Sequence, residues 1–142
     1  MKEFHSESNR QNDIRETDAI LVNGEIFTFK ATGLTRRVFA NADKTKVVKV
    51  SLTRDNYFNE EEINLFTKAD DDKKRQLAIT QMLDNGYIEQ EYLITLDDPE
   101  ADKLINQMTN EEIGFARSCR GDVGFDKNGV LKCHDIEEYK KY

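Results

Sequence analysis

Two Asn-Gly dipeptides between β-forming runs constrain the fold of this chain more than any other feature. The first, Asn23-Gly24, follows the apolar run 19–22, and the second, Asn85-Gly86, follows the run 78–83. Both central residues of a tight hairpin turn need positive φ, which asparagine and glycine tolerate better than other residues. Each dipeptide therefore predicts two antiparallel strands joined by a short turn.

Two more β-rich runs and one amphipathic segment lie between these hairpins. The runs 37–40 and 47–50 flank a turn at Asp43-Lys44. The segment 56–69 has apolar residues near the helical period and glutamates on its other face, which predicts a helix. The apolar residues of this helix are Tyr57, Ile63, Leu65 and Phe66, and its cap is Asp55 or Asn56. We therefore expect an α+β fold, with an antiparallel sheet of about five strands over residues 19–93 packed against one helix.

The rest of the chain predicts short helices and a last hairpin. Residues 70–74 predict a charged linker, and Asp98-Pro99 is typical of a helix start, with the aspartate as cap. Thr109 and Glu112 have the spacing of a capping box. Residues 123–136 predict two strands around a turn that contains Asn128-Gly129. The buried side of the first of these helices would consist of Leu104, Ile105 and Met108.

The 142 residues have the length of one domain. Residues 1–17 carry almost no apolar periodicity, which predicts a mobile N-terminal arm. Residues 18–138 form the predicted single domain, and residues 139–142 form a polar tail.

Charge and composition argue against two classes of partner. The net charge is −7, whereas nucleic-acid binding needs clustered lysines and arginines. No apolar run approaches the roughly 20 residues that a membrane-spanning helix requires. The first residues lack the apolar stretch of a signal peptide, and the two cysteines do not make a disulfide framework. We therefore expect a cytoplasmic protein that binds neither nucleic acid nor a membrane.

One lysine lies inside an apolar strand, and one glutamate lies in the helix that follows it. Lys49 belongs to the run Val-Val-Lys-Val, and Glu62 belongs to the predicted helix. A buried ammonium is costly unless it finds a partner, and a helix packed on the sheet can offer a carboxylate. Such a pair holds a lysine where it can meet nucleotide phosphates. The alternative is that Lys49 faces water on an alternating strand.

The order of glycine turn, lysine strand, glutamate helix and hairpin resembles the small lobe of the protein kinase fold. It is most similar to the short kinase-like proteins that bacteriophages often encode. In those proteins a Gly-x-Ser/Thr-Arg-x-Val-Phe/Tyr turn replaces the full glycine loop, and the similar turn here runs from Gly33 to Phe39. The lysine strand matches at Lys49, and an Asn-x-x-Glu helix motif matches at Asn59 and Glu62.

The resemblance covers residues 25 to 95 and implies a binding site for ATP. Gly33 and Thr35 would cover the phosphates of the nucleotide. Lys49 would contact these phosphates, and Glu62 would orient Lys49.

The resemblance further implies a hinge and two metal ligands. The backbone at Glu91 and Leu93 would receive the adenine ring. Asp122 lies in the place of a metal-binding asparagine, and Asp135 lies in the second metal-binding segment, so that the two carboxylates would hold Mg²⁺. The alternative is that Asp122 caps a turn and Asp135 is a solvated residue.

The catalytic aspartate of kinases is missing from the expected place. The residue five positions before Asp122 is Arg117, and a guanidinium cannot act as a general base. Most of the helical large lobe is missing as well, because only a short stretch separates the hinge from this loop. Cys119, Cys133 and His134 lack the ligand number and spacing of a structural zinc site.

These observations lead to three interpretations. The first is a kinase-like domain, resembling a pseudokinase, that binds ATP with Mg²⁺ without ordinary phosphotransferase activity, as an accessory protein of a bacteriophage in the host cytoplasm. The second is an acidic interaction protein that uses the fold only as a scaffold to bind and modulate a host protein. The third is a transferase with altered chemistry. No residue is predicted to be catalytic.

Overall fold

Six strands between residues 19 and 91 build an antiparallel sheet. The computed structural model describes residues 14–33, 35–52, 56–83, 86–119 and 121–135. The sheet has the strand order β1-β2-β3-β4-β6-β5. Its strands are β1 (Ala19–Val22), β2 (Glu25–Thr32), β3 (Arg36–Asn41), β4 (Lys46–Ser51), β5 (Thr80–Met82) and β6 (Ile88–Glu91).

The predicted α+β class is confirmed, and the sheet has six strands rather than about five. Each predicted hairpin contributes two strands, and the runs 37–40 and 47–50 form one strand each. Asn23 and Gly24 have φ angles of 51° and 82°, as the predicted turn requires. In the second hairpin β5 pairs with β6, whereas Asp84 and Asn85 of its turn lie outside the described residues.

The chain forms two compact units. The first consists of Met1–Ile63 and Thr80–Tyr92, and the second consists of Asn64–Ile79 and Leu93–Tyr142. Helix α1 (Tyr57–Lys68) contains the boundary after Ile63. Sequence patterning did not predict this division, because it depends on contacts between segments that are distant in the sequence.

The two faces of the first unit's sheet differ in chemistry. Antiparallel pairing places Val38 opposite Lys49 and Arg36 opposite Ser51, so that these four side chains share one face. The alternate residues of the same strands face the other way and join an aromatic and aliphatic core. This core consists of Ile14, Ile20, Val22, Phe27, Phe39, Val48, Val50 and Tyr87.

Helix α1 forms over the predicted segment, but its buried residues are not the apolar ones of the pattern. Tyr57, one of the apolar residues at helical spacing, is 53% exposed. The fully buried residues of α1 are Asn59 and Glu62, both polar. Leu65 and Phe66 are partly buried against the core of the second unit. The helix predicted from its period is therefore confirmed. The hydrophobicity of its residues, however, did not indicate which side of the helix faces the sheet.

The predicted N-terminal arm is described only from Ile14 onward. Ile14 is completely buried, and its carbonyl accepts a hydrogen bond from Arg37. The core of the first unit therefore begins before residue 18. Residues 1–13 and 136–142, which include the predicted tail, lie outside the described residues.

Besides the last residues of α1, the described part of the second unit contains a small sheet and three short helices. Its strands follow the order β7-β8-β9, and its apolar core includes the buried residues Leu77, Phe125 and Leu131. The strands are β7 (Ile94–Thr95), β8 (Val123–Phe125) and β9 (Leu131–Cys133). The helices are α2 (Asp71–Lys74), α3 (Asp102–Ile105) and α4 (Asn110–Ser118), and a 3-10 turn over Pro99–Ala101 precedes α3.

The predicted caps and hairpin of this unit are confirmed, whereas the predicted linker is wrong. Asp98 caps the 3-10 turn, Thr109 and Glu112 form the predicted capping box, and β8 and β9 form the predicted hairpin. The charged segment 70–74 is not a linker, because Asp70 caps the one-turn helix α2 through the Lys73 amide. Among the described residues, no helix is long and apolar enough to cross a membrane.

Candidate functional site

A fully buried carboxylate on helix α1 lies at the centre of the candidate site. Glu62 has 0% of its surface exposed, and its two oxygens contact two cations of the first unit. Lys49 Nζ lies 3.1 Å from Oε1 and 3.0 Å from Oε2. Arg36 donates from Nη1 to Oε2 at 2.8 Å and from Nη2 to Oε1 at 3.4 Å. Each cation therefore reaches both carboxylate oxygens.

Strand geometry explains why both cations face the same helix. Arg36 lies on β3 and Lys49 on β4, and these neighbouring strands pair in a register that puts the two residues on one face. Lys49 is 5% exposed, so the alternative in which it faces water is wrong. The predicted pairing of Lys49 with Glu62 across the strand–helix interface is confirmed.

Two opposing effects set the pKa of Glu62. Burial raises the pKa of its carboxyl, while the charges and hydrogen bonds of Lys49 and Arg36 lower it by more. The pKa of Glu62 therefore lies below its ordinary value, and the group stays ionised at neutral pH. The cluster is thus a buried ionic network rather than a protonated acid beside two bases.

A buried asparagine fixes helix α1 to the strands one turn before Glu62. The Asn59 amide nitrogen lies 3.1 Å from the carbonyl oxygens of Lys49 and Gly86 and from the side-chain oxygen of Asn56. Its side-chain oxygen is buried and has no hydrogen-bond partner within the described residues. Asn59 thus links the helix to the backbone of the lysine strand, and an alanine there would lose these contacts.

The two residues predicted to cover phosphates, Gly33 and Thr35, lie just before Arg36, the first residue of β3. The Gly33 amide donates to the Arg36 carbonyl at 2.9 Å, and the Thr35 carbonyl accepts from the Leu52 amide at 2.8 Å. A Cβ added at Gly33 would be no closer than 3.8 Å to the Arg36 oxygen. Local packing therefore does not require glycine at this position.

The two predicted adenine-binding positions fall in different units. Glu91 ends strand β6 of the first unit and pairs with Lys46 of β4. Leu93 begins the last segment of the second unit and is 4% exposed. Their predicted role in adenine binding stays a prediction.

The two predicted metal ligands both belong to the second unit. The Asp122 carbonyl accepts a hydrogen bond from the His134 amide at 2.9 Å, which brings Asp122 beside the segment that contains Asp135. Among the described residues there is no group of three or more His, Cys, Asp or Glu side chains arranged to hold a metal ion. Cys119 and Cys133 are free thiols buried in the apolar core of this unit.

Sequence reasoning missed Arg36 as part of the cluster. Arg36 lies within the quoted turn motif, but it was assigned no role. The alternation of side chains along paired strands was an available signal. If β3 and β4 pair around a turn at Asp43-Lys44 in the observed register, Arg36 and Lys49 lie on the same face of the sheet. The register itself, however, had to be known first.

Comparisons with protein families and with curated proteins identify no relative of this chain. The chain matches no protein-family model, and no curated protein matches it. The functional argument therefore depends on the geometry of the cluster and on the chemistry of its residues.

Proposed function

We propose that this chain is a kinase-like domain that binds ATP with Mg²⁺ and lacks ordinary phosphotransferase activity. The buried pair of Lys49 and Glu62 carries the proposal. Replacing a buried ion pair by apolar residues of similar volume is often neutral or stabilising, so such a pair is weak evidence of a role in stability. A buried ionic pair whose carboxyl pKa is shifted by its partners is instead typical of a functional site, here one that holds an ammonium group at that point of the sheet.

The position of Lys49 supports a role in contacting phosphates. Its ammonium is anchored on a central strand and held by Glu62 of the helix that follows. A compact ammonium held in this way can give a point charge to phosphate oxygens. Gly33 and Thr35 come just before the first residue of the neighbouring strand β3, and their backbone would cover the same phosphates under this proposal.

Magnesium ion fits the chemistry of Asp122 and Asp135. Mg²⁺ usually takes one or two carboxylates together with phosphate oxygens and water, so it does not need a cluster of three protein ligands. Asp122 and Asp135 would hold the ion. The backbone hydrogen bond between His134 and Asp122 keeps the two acidic segments adjacent within the second unit.

The proposed lack of phosphotransferase activity depends on what stands in place of the catalytic base. Arg117 lies in the last turn of helix α4, and a guanidinium carries donors only, so it cannot act as a general base. Positioning and electrostatics supply most of the rate of phosphoryl transfer, and a base adds to it. Without the base, and without most of the helical large lobe that would position a protein substrate, transfer to a protein hydroxyl should be very slow.

Nucleotide binding is the measurement that tests this proposal. A ligand that binds only the folded state raises stability by about 2.7 kcal/mol when its concentration is roughly 100-fold above Kd. We expect ATP with Mg²⁺ to raise the melting temperature of the wild type, and Lys49→Met to abolish the shift. Lys46→Met is the matched control, because Lys46 lies on the same strand with its side chain 46% exposed.

The outcome also separates the second interpretation from the first. A protein that uses the fold only as a scaffold for binding a host protein would show no shift with millimolar ATP and Mg²⁺. An equal loss of the shift in Lys46→Met and Lys49→Met would also contradict the proposed site, since only Lys49 lies in the buried cluster.

A further inference from the structure

We propose that Arg36 is a positioning residue. It keeps Glu62 and helix α1 in place when the Lys49 ammonium exchanges one of its contacts with Glu62 for a contact with a phosphate. This inference rests on the proposed nucleotide binding, and it assigns a function to a residue that the sequence motif alone left without one. It concerns only residues of the first unit.

The geometry shows that the two cations duplicate each other on Glu62. Arg36 contacts Oε2 at 2.8 Å and Oε1 at 3.4 Å with its two terminal nitrogens, and Lys49 contacts the same two oxygens. The three side chains are 7%, 6% and 0% exposed, so solvent does little to screen them. One cation can therefore keep the carboxylate compensated while the other moves.

The two cations are suited to different tasks. The planar guanidinium of Arg36 has a rigid fork of donors that matches a carboxylate. The ammonium of Lys49 is a compact charge on a flexible stem, which can reorient toward a phosphate. The division that follows is a fixed arginine–carboxylate link and an exchangeable lysine–carboxylate link.

This division lowers the cost of nucleotide binding. A buried carboxylate that loses its partner is strongly destabilised. If Lys49 supplied all of the compensation, each contact that it made to a phosphate would be taken from Glu62. Because Arg36 lies on the neighbouring strand of the same sheet, it holds Glu62 without depending on Lys49.

The test compares affinities of purified full-length variants for ATP with Mg²⁺ and for adenosine, measured by calorimetric or NMR titration. In Arg36→Met we expect ATP to bind about tenfold more weakly, since a charged hydrogen bond is removed. Adenosine carries no phosphate to draw Lys49 away from Glu62, so its affinity should not change. Arg36→Lys retains a positive charge and should recover part of the ATP affinity.

Arg37→Met is the matched control. Arg37 is the next residue of strand β3, so its side chain starts on the opposite face, where it donates to the Ile14 carbonyl. We expect this variant to bind ATP as the wild type does.

Three results would overturn the inference. They are an unchanged ATP affinity in Arg36→Met, an equal loss for ATP and adenosine, and an equal loss in Arg37→Met. If Arg36→Met does not fold, Arg36→Lys decides, because wild-type ATP affinity without any loss in that variant would show that the two-pronged contact has no role. Failure of the wild type itself to bind ATP would remove the proposed function and this inference together, which distinguishes that failure from the other three.

Discussion

Replacing Glu62 by glutamine tests the energetics of the buried cluster directly. The change keeps the size of the side chain and removes the charge that faces two nearly buried cations. Four contacts between 2.8 and 3.4 Å lose their ionic character. Removing one partner of a buried ion pair costs about 3–5 kcal/mol. Since small domains have only about 5–15 kcal/mol of stability, the loss should be large.

The assay is urea-induced unfolding followed by circular dichroism at pH 7. We expect the free energy of unfolding of Glu62→Gln to fall by about 3–5 kcal/mol relative to the wild type. The control is Glu60→Gln, two positions earlier and exposed in the first turn of the same helix, which should change stability by less than about 1 kcal/mol.

The pH dependence gives a second, independent readout. The pKa of Glu62 is lowered from its ordinary value of 4.5 in the folded protein, because its two cations outweigh the effect of burial. Its contribution to stability is therefore fully present above the unfolded-state pKa and is lost as pH falls through the lower folded-state pKa. The difference between wild type and Glu62→Gln should be constant above about pH 5 and should shrink below the ordinary pKa.

Two outcomes would refute this reasoning. Equal stability of Glu62→Gln and wild type at pH 7 would mean that the pair is energetically neutral. A stability difference that does not shrink below pH 4.5 would mean that the pKa of the carboxyl is not lowered by its neighbours.

Two further predictions concern activity and the second unit. Radiolabelled ATP should give no transfer of γ-phosphate to generic protein substrates, and strong labelling by the wild type that Lys49→Ala and Asp135→Ala both abolish would contradict this. Gly124→Ala should lower the free energy of unfolding by about 1–3 kcal/mol, because a Cβ there would lie 2.7 Å from Leu93 Cβ and 2.8 Å from a backbone oxygen. Its control is Gly114→Ala in helix α4, where an added Cβ meets nothing within 4 Å. This control should raise the free energy of unfolding by about 0.5–1 kcal/mol. Equal effects of the two changes in chemical denaturation would contradict the prediction.

The local elements of this protein could be predicted from sequence because their signals depend on neighbours in the chain. The turn at Asn23-Gly24 requires positive φ, and the capping box at Thr109 and Glu112 is a pair of hydrogen bonds three residues apart. Such signals act within one turn of the backbone, so no tertiary contact is needed to interpret them. The helix over 57–68 was predicted in the same way, from its period.

Part of the candidate site could also be predicted from sequence. A lysine in an apolar strand needs a partner, and the helix that follows offered Glu62. Hydrophobic patterning, however, put Tyr57 among the apolar residues of that helix, whereas the structure exposes Tyr57 and buries Asn59 and Glu62. Pattern reasoning treats burial as a property of apolar residues, and it fails where polar groups satisfy one another inside the protein.

Only the tertiary structure decided which groups share the buried cluster. Arg36 and Lys49 are thirteen positions apart in sequence, and they meet because strands β3 and β4 pair in one particular register. A shift of one residue would turn one of the two side chains to the opposite face of the sheet. The division after Ile63 and the burial of Ile14 likewise depend on contacts between distant segments. The sequence alone thus determined most of the strands and helices and the pairing of Lys49 with Glu62. The contact of Arg36 with the same carboxylate was decided only by the fold, because the register of two strands depends on long-range contacts.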